Sequence, residues 1–510
     1  MLAQLKSAVV IGLECYEITV EVDITRGMPS FTIVGLGDTA IQESRERIRS
    51  AIKNAGFTFP PYRITVNLAP ADLKKYGPSF DLPIALGILI SSGQLLMKDE
   101  YKDALMIGEL ALDGMIRRVQ GVLPISIYTK ERDVPYLVVP KDNTIEATII
   151  PGIRVIGIET LRECIEILQG SKEFTPTEER PFAPLRKASL TDIDHIRGQD
   201  HAKRALMIAA AGGHNLLMTG PPGSGKTMLA KAFQSILPDM TLDEAIEITK
   251  LYSISGMIDP LSPLVSERPF RSVHHTASDI SIIGGGRTPK PGEISLAHRG
   301  VLFLDEIAEF PQHVLEVLRQ PLEDRVVTIS RAQGSLTFPA DFTLVAAMNP
   351  CPCGYYGDQV KPCSCSPHTI LRYQKRLSGP LMDRIDLHIT IPRITYDEYH
   401  VGSPLLSGDA IREKVSRARE VQQARFVHSK VKTNHEMTSK DTEVFCELRS
   451  SECTDLLSKA VEMFQLSGRA YYRILKTART IADLDESDNI QPQHLAEALQ
   501  YRKKETTMFA

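Results

Sequence analysis

The run Gly220-Pro221-Pro222-Gly223-Ser224-Gly225-Lys226-Thr227 has the residue types and spacing of a loop that cradles phosphate. Its glycines let backbone N–H groups turn toward phosphate oxygens, and a helix opening behind them adds partial positive charge. Lys226 would reach the β- and γ-phosphates, and the Thr227 hydroxyl would ligate Mg²⁺. The apolar run 215–219 ahead of the loop predicts a strand, and 228–233 behind it predicts a helix. An ordinary glycine-rich turn is the bland alternative, and flanking elements of the correct type weigh against it. The chain is expected to bind ATP with Mg²⁺.

Farther along, Val301-Leu302-Phe303-Leu304 ends in Asp305-Glu306. Four apolar residues suit a buried parallel strand, and acids at its C-terminal end sit where ligands bind in such sheets. Asp305 would hold Mg²⁺, and Glu306 would orient and polarise the attacking water. Without the phosphate loop upstream, such a pair would more often be a solvated strand end. The next apolar run, Thr343–Met348, ends in Asn349, whose amide can align the same water. The alternative there is a turn-forming Asn before Pro350.

Cys351, Cys353, Cys363 and Cys365 place four of the eight cysteines within fifteen residues. Four thiolates satisfy tetrahedral Zn²⁺ in a structural role and leave no open position for catalysis. The C-x-C spacing is tighter than the usual zinc pattern, so free thiols or a disulfide remain alternatives. Cys15, Cys164, Cys446 and Cys453 stand apart and read as packing residues.

Positioning these groups takes several domains, since 510 residues exceed one core. Strands are predicted over 17–24, 31–34, 64–68 and 137–139, and helices over 39–55, 82–91 and 161–168. The apolar stretch 8–11 reads as a strand rather than a signal peptide. A polar, proline-bearing stretch from Gly170 to about Leu185 marks a boundary. Strands then alternate with helices from 193 to 392, and the remainder is helical. A net charge of −4 does not advertise nucleic-acid binding, so any such site must be local. No run of about 18 apolar residues occurs, so no membrane partner and a cytoplasmic location with reduced cysteines are expected.

Together these motifs resemble AAA+ ATPases, in which Asn349 would be sensor-1. Leu377–Leu387 resembles the arginine-finger segment of the clade holding magnesium chelatases and MCM helicases, which implies that Arg384 reaches a neighbouring subunit's γ-phosphate. Ser467-Gly468-Arg469-Ala470 resembles sensor-2, with Arg469 as the candidate. For both, a plain surface arginine is the alternative. The stretches 270–276, 282–287 and 291–298 look like the clade's helix-2 insert. Strand patterns at 326–330 and 336–338 around Arg331-Ala332-Gln333-Gly334-Ser335 predict a β-hairpin, matching its pre-sensor-1 hairpin. In helicase members both elements line a pore, which implies DNA contacts from Arg287, Lys290, Arg331 and Gln333.

Tyr76–Leu86, with Ser79 on the nucleophile, resembles the C-terminal domain of Lon protease, as do Gly108-Glu109-Leu110 and 121–124. The partner lysine should fall near Leu123, where there is none, so an inactive domain is expected. RadA carries a similar domain as a DNA scaffold, and Arg45, Arg47, Arg49, Lys53, Lys74 and Lys75 could supply phosphate contacts; a solvated helix face is the alternative. The full order of parts resembles the ComM family of magnesium chelatase-like proteins. This implies a multidomain α/β protein: a Lon-protease-like α+β domain (1–170), a linker (171–185), an AAA+ core (186–392) with a zinc loop at 351–365, and an all-helical lid (393–510). The resemblance further implies a homohexameric DNA motor that promotes branch migration in recombination and natural transformation. Single-stranded and branched DNA, and recombination proteins, are its expected partners. A metal chelatase ATPase subunit and a MoxR-like protein remodeller are the alternatives.

Overall fold

A computed structural model of the protein describes residues 2–35, 37, 39–174, 192–286, 289–331, 334–393, 407–429 and 431–502. The chain forms two compact units. One gathers the described residues of 1–183 with 241–266 and 286–290, and the other takes those of 184–240, 267–285 and 291–510.

The first unit is built on a seven-stranded mixed sheet. Its order is Ser30–Val34, Arg63–Ala69, Glu14–Thr25, Ala3–Ile11, Leu105–Met106, Leu137–Pro140, Val155–Ile158. Ala3–Ile11 and Glu14–Thr25 form an antiparallel hairpin, from Ala3 opposite Val22 to Ile11 opposite Glu14. Alternating burial along Glu14–Thr25 sends Ile18, Val20 and Val22 into the core, the period-two pattern of a half-covered sheet. The helix Asp81–Ser91 is buried almost throughout, which its continuous apolar sequence requires.

The sequence places 241–266 inside the ATPase core, but these residues fold with the N-terminal ones. The helix Leu242–Ser255 starts at a reciprocal cap between Thr241 and Glu244. Near its end, Ser253 Oγ donates to Glu146 Oε1 at 2.5 Å. Glu146 is buried and also accepts from Leu123 N at 3.1 Å and Asn143 Nδ2 at 3.1 Å. Beyond the helix, Arg118 donates to the Ile258 carbonyl at 3.0 Å.

The second unit carries a five-stranded sheet in the order Phe270–Val273, Val301–Leu304, Thr343–Met348, Leu216–Thr219, Leu387–Thr390. Every pairing is parallel, and the central strands are buried apolar runs, as a sheet covered on both faces demands. Phe270–Val273, read from sequence as part of an insertion, is an edge strand of this sheet. Val326–Arg331 and Gly334–Pro339 form the expected hairpin, in register from Val326–Pro339 to Arg331–Gly334. Helices fill the C-terminal part. Gly408–Arg425 and Gly468–Leu484 start at serine caps, Ser407 and Ser467. They share one core with the sheet and the helix Lys226–Ser235.

Candidate nucleotide site and cysteine cluster

The strand Leu216–Thr219 runs into the loop, and the helix Lys226–Ser235 leaves it. Gly223 and Gly225 have φ of 77° and 87°, left-handed backbone that side chains other than glycine's rarely adopt. They turn the loop around a cavity of about 470 Å³ lined by Pro222 to Met228, Asp305, Glu306, Met348 and Asn349.

Four sequence-predicted groups meet there through side-chain contacts. Lys226 Nζ donates to the Gly220 and Pro221 carbonyls at 2.8 and 2.9 Å, and to Asn349 Oδ1 at 3.3 Å. Burial lowers its pKa, with Asp305 and Glu306 opposing the shift. Thr227 Oγ1 donates to Asp305 Oδ2 at 2.9 Å. Hard oxygen donors in contact at the cavity wall suit a magnesium ion bound with nucleotide phosphate.

Glu306 also lines the cavity and sits at φ 51°, an uncommon backbone state for a residue with a side chain. Its Oε2 lies 3.7 Å from His275 Nδ1. Sequence reasoning missed His275 because it assigned 270–276 to an insertion. Strand register was the available signal: Val273 pairs with Leu304, so residues two beyond each strand emerge side by side.

Arg384 and Arg469 do not line the cavity. Asn215, ahead of the strand that feeds the phosphate loop, donates through Nδ2 to the Arg384 carbonyl at 3.0 Å. Arg384 therefore lies at the opposite end of that four-residue strand, roughly 13 Å away along the sheet. Its buried side chain donates to the Pro380 carbonyl at 2.7 Å and pairs with Glu323. Arg469 donates to the other oxygen of Glu323 at 3.3 Å.

Next to Arg384, Asp386 is a buried hub. It meets Arg473 Nη1 at 2.5 Å, His435 Nδ1 at 2.9 Å and the backbone N–H of Asn215 at 3.1 Å. Burial disfavours its charge, but Arg473 and His435 outweigh that and hold its carboxyl well below the ordinary value. Burial depresses His435 to about 4.

The four clustered cysteines converge. Sγ of Cys351 is 3.3 Å from Cys353 and 3.6 Å from Cys363, and Cys353 is 3.5 Å from Cys363. The Cys365 sulfur lies with them. A tetrahedral zinc with Zn–S bonds of about 2.3 Å sets sulfurs about 3.8 Å apart, so the donor set fits that ion. A disulfide would need about 2.05 Å, and all eight cysteines are unbridged. The loop abuts the phosphate loop: a Cβ on Gly354 would come within 2.6 Å of Pro222 Cδ.

Of the expected DNA contacts, Arg287 and Gln333 lie outside the described residues, as does the side chain of Arg331. Lys290 is exposed and donates to Gln120 at 3.1 Å. Two basic residues of the first unit are corrected by the structure. Lys75 is fully buried and donates to the Pro70 carbonyl, so it cannot reach a phosphate. Arg47 is engaged by Asp81 at 2.8 Å. Ser79 sits on the short turn Pro78–Phe80, and Leu123 is buried.

Comparison with known proteins gives three matching family models. "Magnesium chelatase, subunit ChlI" matches residues 192–399, "Subunit ChlI of Mg-chelatase" 20–143, and "Magnesium chelatase, subunit ChlI C-terminal" 406–502. The chain is 44% identical over 507 residues to the competence protein ComM of Haemophilus influenzae, covering 98% of this chain and 97% of that protein. It is 42% identical over 497 residues to the uncharacterized protein YifB of Escherichia coli, covering 96% and 95%. The magnesium-chelatase 67 kDa subunit of Chlorobaculum parvum is 30% identical over 161 residues, 30% of this chain and 23% of that one.

Proposed function

The chain belongs to the magnesium chelatase-like family that includes the competence protein ComM, and on that premise we propose that it is a ring-forming ATPase that moves branched DNA. The carrying observation is a division of the catalytic parts. Lys226, Thr227, Asp305, Glu306 and Asn349 surround one cavity, while Arg384 lies at the far end of the sheet. An arginine there serves a phosphate only if a second copy brings its cavity to it, and a closed ring of identical interfaces, here a hexamer, meets that need.

Lys226 would exchange its carbonyl partners for the β- and γ-phosphates, and Thr227 and Asp305 would hold Mg²⁺. Bound there with nucleotide, that ion would supply positive charge to offset the charge of the β- and γ-phosphates. Glu306 orients water toward the γ-phosphorus, Asn349 fixes its angle, and Arg384 with Arg469 steadies the departing charge from the neighbour. Cys351, Cys353, Cys363 and Cys365 would hold a structural Zn²⁺, and their loop props the phosphate loop through Gly354 and Pro222.

The DNA part rests on family membership, on the name of the competence relative, and on the hairpin. The hairpin's register ends at the Arg331–Gly334 pair. With Arg287 and Lys290 from the helix-2 insert, Arg331 would contact backbone phosphates without reading bases, as a motor on any sequence requires. The first unit is proposed to be a Lon-like domain without peptidase activity, since Leu123 stands where the activating lysine would be. A Lon-like domain of 1–170 joined by 241–266 and 286–290, an ATPase core of the rest of 186–392, a helical lid of 393–510 and a cytoplasmic setting complete the reading.

The test measures ATP hydrolysis alone, with single strands, with a four-way junction and with unfolded protein, alongside junction movement. Junction-stimulated hydrolysis and ATP-dependent movement are expected, both lost in Arg287→Ala or Arg331→Ala rings that still assemble. Stimulation by the protein client alone would favour a remodeller. Failure to bind a junction at low salt would end the motor reading.

A further inference from the structure

Glu323 has one carboxylate and two arginines. Its Oε2 pairs with Arg384 Nη2, and its Oε1 accepts from Arg469 Nη2 at 3.3 Å. The two cations come from segments far apart in the chain, two residues past the helix Gly379–Met382 and at the start of the helix Gly468–Leu484. Their environments differ: Arg384 is 7% exposed, while the side chains of Arg469 and Glu323 are 59% and 51% exposed. Partial burial raises the Glu323 carboxyl, but the Arg384 hydrogen bond and charge outweigh it and hold the group below its ordinary value. Arg384 has no slack on its other side, where Nη1 donates to Pro380.

We infer that Glu323 is a positioning residue that restrains Arg384 and Arg469 together and yields them to the γ-phosphate of a neighbouring subunit. This rests on the reading of Arg384 as an arginine acting across an interface. A guanidinium already paired with a carboxylate is a poorer partner for phosphate, because the new contact must replace a charge-assisted bond. A γ-phosphate close to Glu323 also meets its negative charge until the arginines turn outward. Both effects slow hydrolysis in a subunit whose interface is not fully closed.

The restraint sits where its release can be felt. Glu323 belongs to the short helix Pro321–Asp324, and Arg325, next in line, opens the hairpin Val326–Pro339. Arg325 anchors the hairpin base to Glu436 at 2.7 Å and to Asp341 at 3.6 Å. Transfer of both arginines to phosphate frees the residue two places before that anchored base. Nucleotide state at one interface thereby acts on the hairpin of the subunit that supplies the arginines.

Glu323→Gln removes the charge at nearly constant shape on a half-exposed side chain, so folding should survive. In the full-length protein with ATP and Mg²⁺, this variant should raise DNA-free turnover about three- to tenfold at unchanged nucleotide affinity and assembly. It should also shrink the stimulation by a four-way junction, because the restraint that DNA-bound rings relieve is already gone. Glu323→Asp keeps the charge and should stay within about twofold of the parent. Unchanged or reduced basal turnover in assembled Glu323→Gln rings overturns the inference, as does an equal rise in Glu323→Asp. Mixing Arg384→Ala with Lys226→Ala subunits tests the underlying reading separately. No recovered hydrolysis in demonstrated mixed rings defeats the interface arginine itself, whereas recovery with no Glu323→Gln effect defeats only the restraint.

Discussion

Thr227 Oγ1 and Asp305 Oδ2 are in direct hydrogen-bond contact at 2.9 Å, joining the start of the helix Lys226–Ser235 to the acidic end of the strand Val301–Leu304. The contact fixes both oxygens before any ligand arrives, so little reorganisation is left for metal binding. Thr227→Val and Asp305→Asn should each raise the Mg²⁺ concentration needed for half-maximal hydrolysis by about tenfold or more. A magnesium titration of ATPase activity checks this, and unchanged half-saturation in both variants would remove the pair from the metal site.

Glu306 lies on the same cavity but makes no metal-type contact with Thr227, which separates water activation from binding. Glu306→Gln should bind ATP at parental affinity while turnover falls by roughly two to three orders of magnitude. Equilibrium binding of a fluorescent ATP analogue, paired with phosphate release, distinguishes the two effects.

The cysteine cluster should carry about one equivalent of zinc per chain in reduced protein. Its Gly354–Pro222 contact predicts a second effect: chelation, or Cys363→Ser, should weaken nucleotide binding as well as lower the melting temperature. Elemental analysis and nucleotide titration of the same preparations test the pairing. Metal-free protein with parental stability would refute a structural zinc.

The two units should respond to acid in opposite senses. His435 is depressed from 6.5 to about 4 in the folded state, so its contribution is present above pH 6.5 and lost as pH falls toward about 4; Asp386, held well below 3.8, keeps its contribution through that window and loses it only at more acid pH. Asp81 runs the other way. Burial, partly offset by Arg47, raises it from 3.8 to about 6, so its contribution is full below 3.8 and lost as pH rises through 6. The Asp81 effect is on the order of 3 kcal/mol. Hydrogen exchange, corrected for its intrinsic pH dependence, should show the second unit weakening between pH 6.5 and 4 while Asp81→Asn removes the opposing trend in the first.

Much of the site was legible because local chemistry fixes it. Gly223, Gly225 and Lys226 announce a phosphate loop by spacing, and Val301–Leu304 announces a buried strand by composition. The four thiols converge as their clustering suggested. What escaped was set by register and long-range packing. His275 approaches Glu306 only because Phe270–Val273 pairs in parallel with Val301–Leu304, and no residue inside that strand declares its neighbour. Glu323 had no signature, since its partners lie 61 and 146 positions away. Leu105–Met106 is too short for a period to show, and Lys75 looked like a surface cation because sequence gives charge without burial.

Ser253→Ala should destabilise the first unit by about 1–3 kcal/mol, because it takes a donor from the buried Glu146 carboxylate. Ser253→Thr, which keeps the hydroxyl, should cost less. Differential scanning calorimetry with domain-resolved hydrogen exchange would register both. An alanine variant indistinguishable from the parent would show that Leu123 and Asn143 suffice for Glu146.

That unit is discontinuous along the chain, and its inheritance is constrained accordingly. No single breakpoint in the coding sequence yields two complete halves, because a cut at the linker strands Leu242–Ser255 with the wrong fragment. Shuffling by simple gene fusion would deliver an N-terminal piece lacking its own helix and a nucleotide-binding piece carrying an orphan one. Lineages that modify either part must do so within the intact frame, residue by residue, so the parts are expected to diverge together rather than to be exchanged.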